Sequence, residues 1–151
     1  MRYAGWLGAV LLVASTAVQA QAPAETLYQR VGGYDALAKL GADFTRSLGT
    51  DPTVRPFFFA RSDDSRRRIL QAFVLLLCQD SGGPCFYTAR DMKSAHAGLK
   101  MGDAEWDAVM RLWGEALDRH KITGANKAEM VQVFAKYRGD IMSGAGSPAK
   151  K

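Results

Sequence analysis

The chain has 151 residues, is 48% hydrophobic and 23% charged, and carries a formal net charge of +5. That length suits one domain around a single core. The charge balance is mild, and basic residues scattered everywhere except Arg66-Arg67-Arg68 exclude a dedicated nucleic-acid binder, which would need a longer basic face interleaved with aromatics.

Met1-Arg2-Tyr3 precedes an uncharged run from Ala4 to Val18, with small residues at Val18 and Ala20. A basic start, a short apolar stretch and small residues three and one before a cut describe a secretory signal peptide over 1–20, cleaved after Ala20. The run is too short and too rich in small residues for a comfortable membrane span. No stable membrane insertion is therefore expected after cleavage, and the mature chain is expected in the periplasm or secreted. Residues 21–26 read as a short leader, 27–142 as the folded domain and 143–151 as a disordered tail.

Leu37, Leu40, Phe44 and Leu48 step by three and four, which predicts a helix from Gly32-Gly33 to about Gly49. The segment 51-DPTVRPFFFA-60 cannot continue it, because two prolines interrupt the run, and it reads as a corner packed by aromatics. Ile69, Leu70, Phe73, Leu76 and Leu77 predict a second apolar helix, closed by Ser81-Gly82-Gly83-Pro84. Met92, Ala95, His96 and Leu99 mark a short helix. Asp103 is the candidate N-cap of a long one with Trp106, Val109, Met110, Trp113 and Leu117 on its stripe. Asn126 is the candidate cap of the last, with Met130, Val133, Phe134, Tyr137 and Ile141 inward. No alternating strand pattern competes, so the fold class is all-α with one domain.

Cys78 and Cys85 bracket 78-CQDSGGPC-85. In an exported chain this pair reads first as a disulfide; two buried thiols or half a metal site are the competing readings. Of the two histidines, His120 ends the long helix beside Arg119 and Lys121, where positive charge favours the helix dipole, and reads as structural. His96 lies on an apolar stripe. Taken alone, such a residue is more often a core histidine bonded to a carbonyl than a metal ligand.

Several landmarks then coincide in order: Gly32-Gly33, Phe57-Phe58, Gly82-Gly83-Pro84, and Tyr87-Thr88-Ala89-Arg90-Asp91-Met92-Lys93 leading into Ala95-His96-Ala97-Gly98-Leu99. From about Leu27 to Ile141 the chain resembles a group I truncated haemoglobin, the short two-over-two helical globin. The resemblance implies haem b as cofactor and His96 as the proximal ligand of its iron. It implies that Phe58, Met101, Trp106, Val109 and Phe134 hold the apolar body of the haem. Arg90 and Lys93 are candidates for its propionates, with the run Arg66 to Arg68 as a further one.

Two departures from the family pattern matter. The family places a tyrosine after the first-helix phenylalanine to bond iron-bound dioxygen, whereas this chain has Phe44-Thr45, and the shorter threonine hydroxyl puts strong dioxygen stabilisation in doubt. The segment between Phe58 and Gly82 is also longer than the family habit, which leaves two registers. Either Ile69 and Phe73 face the iron or Arg66 and Leu70 do; the continuous match from Cys78 to Cys85 favours the first. No histidine is available on that helix in either register, so a second imidazole ligand from there is excluded.

The expected function is reversible binding of O2, NO or CO at haem iron outside the cytoplasm. NO dioxygenation or a weak peroxidase reaction is a side activity that needs electrons or a suited distal pocket. The alternatives are a haem carrier or electron-transfer globin with a periplasmic redox partner, and a haem-free helical interaction module on the same scaffold.

Overall fold

The computed structural model describes residues 24–58 and 61–143. The predicted signal peptide, residues 21–23 of the leader and residues 144–151 of the tail lie outside the described residues. No described helix is long and apolar enough to cross a membrane.

A four-residue helix that the periodicity did not reveal, α1 (Leu27–Arg30), comes first. The Thr26 hydroxyl accepts from the Gln29 N–H at 3.3 Å and the Gln29 side-chain oxygen Oε1 accepts from the Thr26 N–H at 2.8 Å, a reciprocal capping box. Helix α2 (Gly33–Thr50) follows a turn in which Gly32 and Gly33 both have positive φ, 98° and 72°. Glycine is required there because an L side chain is strained in that region.

Asp51 and Pro52 end α2, and the corner holds a short 3₁₀ turn, Arg55–Phe57, over fully buried Val54. Helix α3 (Asp63–Asp80) starts at Ser62, whose hydroxyl accepts from the Ser65 N–H at 3.2 Å. Asp63 and Asp64 in its first turn favour the positive end of the dipole. After the glycine turn come α4 (Met92–His96), α5 (Asp103–Arg119), α6 (Gly124–Ala135) and α7 (Arg138–Ser143).

Three sequence expectations change. The N-cap of α5 is Gly102, not Asp103, and its N–H donates to the Glu105 carboxylate at 2.8 Å. Helix α6 starts two residues before Asn126, whose side chain instead accepts from Arg30 Nε at 2.9 Å. The expected last helix divides at Lys136-Tyr137, where both side chains reach back to Asp80 at the end of α3. The Tyr137 hydroxyl donates to that carboxylate at 2.6 Å and Lys136 Nζ lies 3.0 Å from it.

Helix α2 packs on α3 and α5 on α6, and the two pairs cross, with α2 against α5 and α3 against α6. At the crossing each helix contributes one aromatic: Phe44, Phe73, Trp113 and Phe134. All six pairings among the four are ring contacts, with centroids 5.1–5.9 Å apart. Four of the six are edge-to-face, within the geometry aromatic quadrupoles favour. The Trp113 indole N–H is satisfied by the Met130 carbonyl at 3.1 Å. Gly41 brings α2 close to α3; a Cβ there would lie 2.9 Å from a Val74 methyl.

Cys78 and Cys85 form a disulfide across the glycine turn. Gly83 sits against that bridge and the Tyr28 ring, where a Cβ would fall 2.5 Å from Tyr28 and 2.7 Å from the Cys78 sulfur. The Tyr28 N–H donates to the buried Ser81 carbonyl at 2.8 Å, fastening α1 to the end of α3.

Phe44→Ala should cost about 3–5 kcal/mol in chemical denaturation, the range for truncating a buried aromatic. Replacing Cys78 and Cys85 together by serine should cost roughly 2–3 kcal/mol by releasing a short loop in the unfolded chain. In the wild type, but not in that double variant, reductant should lower the melting temperature followed by circular dichroism at 222 nm.

Candidate functional site

Beside the aromatic crossing lies a cavity of about 320 Å³ enclosed by the corner, α3, the loop before α4, α4 itself and α7. One face of α3 supplies Ile69, Ala72, Phe73 and Leu76, the three-and-four spacing that places side chains on one side of a helix. Phe57 and Phe58 close one end. Met92, Ala95, Leu99, Met101 and Ile141 line the opposite wall, and Phe134 meets Phe73 at the back. Exposed Arg61, Arg68 and Arg90 also line the cavity, so three guanidinium groups stand at its mouth.

His96 faces this space from the last residue of α4. Its Nδ1 lies 2.8 Å from the Met92 carbonyl oxygen one turn back. A carbonyl only accepts, so Nδ1 carries the proton and Nε2 keeps its lone pair. Burial, reinforced by the positive charge of Arg90, pushes the His96 pKa below its ordinary value despite the opposing pull of the Met92 bond. The imidazole is thus neutral near pH 7, with a fixed tautomer and no hydrogen bond at Nε2 among the described residues. That is the state a metal needs from a histidine.

Helix α4 has only five residues, too few to hold itself by its own hydrogen bonds. It is capped by Asp91, whose carboxylate accepts from the Ser94 N–H at 2.9 Å, and it packs on α7. The preceding loop is pinned where the Tyr87 hydroxyl donates to the Arg90 carbonyl at 2.6 Å.

Of the residues singled out in the sequence, His96, Phe58, Ile69, Phe73, Arg90, Met101 and Phe134 meet in the cavity; Thr45, Lys93, Trp106 and Val109 do not line it. Trp106 stacks on Phe134 from behind, with centroids 5.9 Å apart and planes 10° from parallel, and Val109 is buried in the main core. Lys93 is exposed on α4. Thr45 is turned along its own helix, its hydroxyl donating to the Gly41 carbonyl at 2.8 Å, and it lines a separate cleft. Arg66 and Leu70 line that second cleft too, while Phe73 is on the His96 side and Ile69 faces both spaces. His120 lies apart, 3.5 Å from the Asp43 carboxylate.

Arg68, from the run offered for the propionates, lines the cavity as well, and so do Arg61 and Tyr87, which were not singled out as site residues. Arg68 follows from the phase of α3 once Ile69 is given to the cavity; Arg61 lies in an irregular segment that has no period to read.

An apolar slot, one neutral imidazole nitrogen and three cations at the opening match the needs of an iron porphyrin with two carboxylates. Residues 26–143 match the family model described as bacterial-like globin. The group 1 truncated haemoglobin of Nostoc commune is 27% identical over 118 residues, spanning 78% of this chain and 98% of that one. Among solved structures, THB1 of Chlamydomonas reinhardtii superposes with a TM-score of 0.68 at 30% identity, covering 80% of this chain and 98% of that one. The ferric truncated haemoglobin of Tetrahymena pyriformis gives 0.71 at 24% identity, covering 78% and 98%. The chain belongs to the bacterial-like globin family. Within it, it is a truncated globin of the two-over-two type, and this membership implies haem b with its iron and binding of a diatomic gas.

Because the folded chain holds His96 neutral below its ordinary pKa of 6.5, the unfolded chain binds more protons there as pH falls. Stability from this group is full above the unfolded pKa and is lost as pH drops toward the lowered folded one. The haem-free wild type should therefore lose stability as pH falls below the ordinary histidine value of 6.5, and His96→Gln should flatten that part of the curve.

Proposed function

We propose that this protein is an exported haem b globin that binds O2, NO or CO reversibly at iron held by His96 Nε2. The observation that carries the reading is the His96 ring, locked through Nδ1 to the Met92 carbonyl inside an apolar cavity. When bound, haem supplies an iron centre with one coordination position free for a diatomic ligand. The chain's own residues do the rest. Phe58, Met101 and Phe134 hold the apolar body, and Arg61, Arg68 and Arg90 receive the two carboxylates.

Ile69 and Phe73 form the wall facing the gas and exclude water from it. Neither carries a hydrogen-bond donor, and the Thr45 hydroxyl is spent on α2. Dioxygen therefore lacks the polar partner that would slow its release, which favours apolar CO and NO over O2 retention and weakens the case for sustained NO dioxygenation. Export is supported by the residue pattern over 1–20 and by the Cys78–Cys85 bridge, a bond that persists in oxidising compartments.

Haemin added to the mature protein should give a saturable one-to-one Soret shift and, after reduction, a five-coordinate ferrous spectrum and a histidine-type CO adduct. His96→Ala should lose all three; weak binding insensitive to that change would make His96 a core residue. Phe73→Tyr, which brings a hydroxyl into the cavity, should slow O2 dissociation roughly tenfold in stopped-flow exchange, the worth of one added hydrogen bond. The full-length chain should fractionate outside the cytoplasm with Gln21 as its first residue.

A further inference from the structure

Helices α4 and α7 have five and six residues, each too short to persist on its own hydrogen bonds, and they pack on one another. The ring of His96 is therefore held only as firmly as α7 is held. Arg138, the first residue of α7, pairs with Asp103, but the two side chains are 52% and 78% exposed, where an ion pair contributes little. The stronger tie comes just before the helix, where Lys136 and Tyr137 reach Asp80, whose side chain is only 9% exposed. The Tyr137 hydroxyl donates to that carboxylate at 2.6 Å, a short charge-assisted bond in a place of low dielectric.

The ring of Tyr137 carries the connection onward. It packs against the cluster of Met101, Trp106 and Ile141, and Met92 of α4 packs against the same cluster. Met92 is the residue whose carbonyl oxygen accepts from His96 Nδ1 at 2.8 Å. One contiguous path thus runs from a buried carboxylate at the end of α3, through Tyr137 and this cluster, to the group that orients the imidazole. A hydrogen bond at Nδ1 fixes the ring angle and raises the basicity of Nε2, so a displaced Met92 carbonyl would alter both.

We propose that Asp80 and Tyr137 are a positioning pair for His96, setting through α7 and Met92 the angle and donor strength of Nε2. This role rests on His96 being the ligand of the haem iron, and it adds two residues outside the cavity to those that tune the proximal bond.

The test is the iron–histidine stretching band in the resonance Raman spectrum of the haem-loaded, ferrous, ligand-free mature protein, with haem transfer to a competing apo-globin as a second readout. Tyr137→Phe keeps the ring and removes the hydroxyl. The band should move to lower frequency and haem loss should accelerate roughly tenfold, the lower end of the effect of disturbing a ligand's outer partner. Asp80→Asn keeps an acceptor for the hydroxyl and should retain the wild-type band. Arg138→Gln, which removes the exposed pair on α7, and Leu37→Ala, which truncates a fully buried residue of α2, should leave the band in place. An unmoved band in Tyr137→Phe, a shift in Asp80→Asn as large as in Tyr137→Phe, or an equal shift in Leu37→Ala would each overturn the pairing. A wild type with no such band would instead remove His96 as the iron ligand. Nitrogen NMR of the imidazole in the haem-free chain then decides the pairing: Tyr137→Phe must mix the His96 tautomers, and a single unchanged tautomer overturns it.

Discussion

Four aromatic rings, one from each long helix, meet at a single point, and the architecture is organised around that meeting. Because Phe44, Phe73, Trp113 and Phe134 each touch the other three, no one of the four helices can shift without disturbing the rest. Close-packed interiors transmit such displacements rather than absorbing them. Two of these rings, Phe73 and Phe134, also form the back of the cavity. The hub of the core and the wall of the site are therefore the same surface, which is how a chain this short keeps a cavity open without a separate scaffold for it.

Around that hub, irregular segments do the positioning. The glycine turn after α3 is held by the disulfide, by the Tyr28 ring against Gly83 and by the Tyr28 N–H on the Ser81 carbonyl. From that fixed point the chain runs past Tyr87 and Arg90 into α4. Asp80 at the other side of the same turn takes both Tyr137 and Lys136, and burial together with this carboxylate pushes the Tyr137 hydroxyl well above the usual tyrosine range. The end of α3 thus sets where α1, α4 and α7 begin.

The four long helices were legible because three-and-four spacing reports burial directly: Leu37, Leu40, Phe44 and Leu48 are all buried, as are Trp106, Val109, Trp113 and Leu117. The same spacing cannot say which apolar space a residue enters. Trp106 and Val109 were expected against the cofactor and instead back the wall and fill the core, because stripe membership is shared by cavity and interior. Cap residues misled for a related reason. Asp103 and Asn126 are good caps by type, but Glu105 already takes the Gly102 N–H and Arg30 takes Asn126. The break at Lys136-Tyr137 has no proline to announce it; its cause is Asp80, more than fifty residues away. His96 was singled out by its neighbours in sequence, and the Met92 carbonyl gives its ring the orientation that sequence could only anticipate.

Helix α4 is one turn long, and the surface it packs on is α7, the final described helix. The ring of His96 therefore acquires its backing only when α7 has been made and folded, and Ile141 completes the cavity from that same helix. Ribosomal synthesis delivers α2 and α3 long before α7. The cavity thus closes after α2 and α3 have been delivered, rather than serving as a nucleus for them.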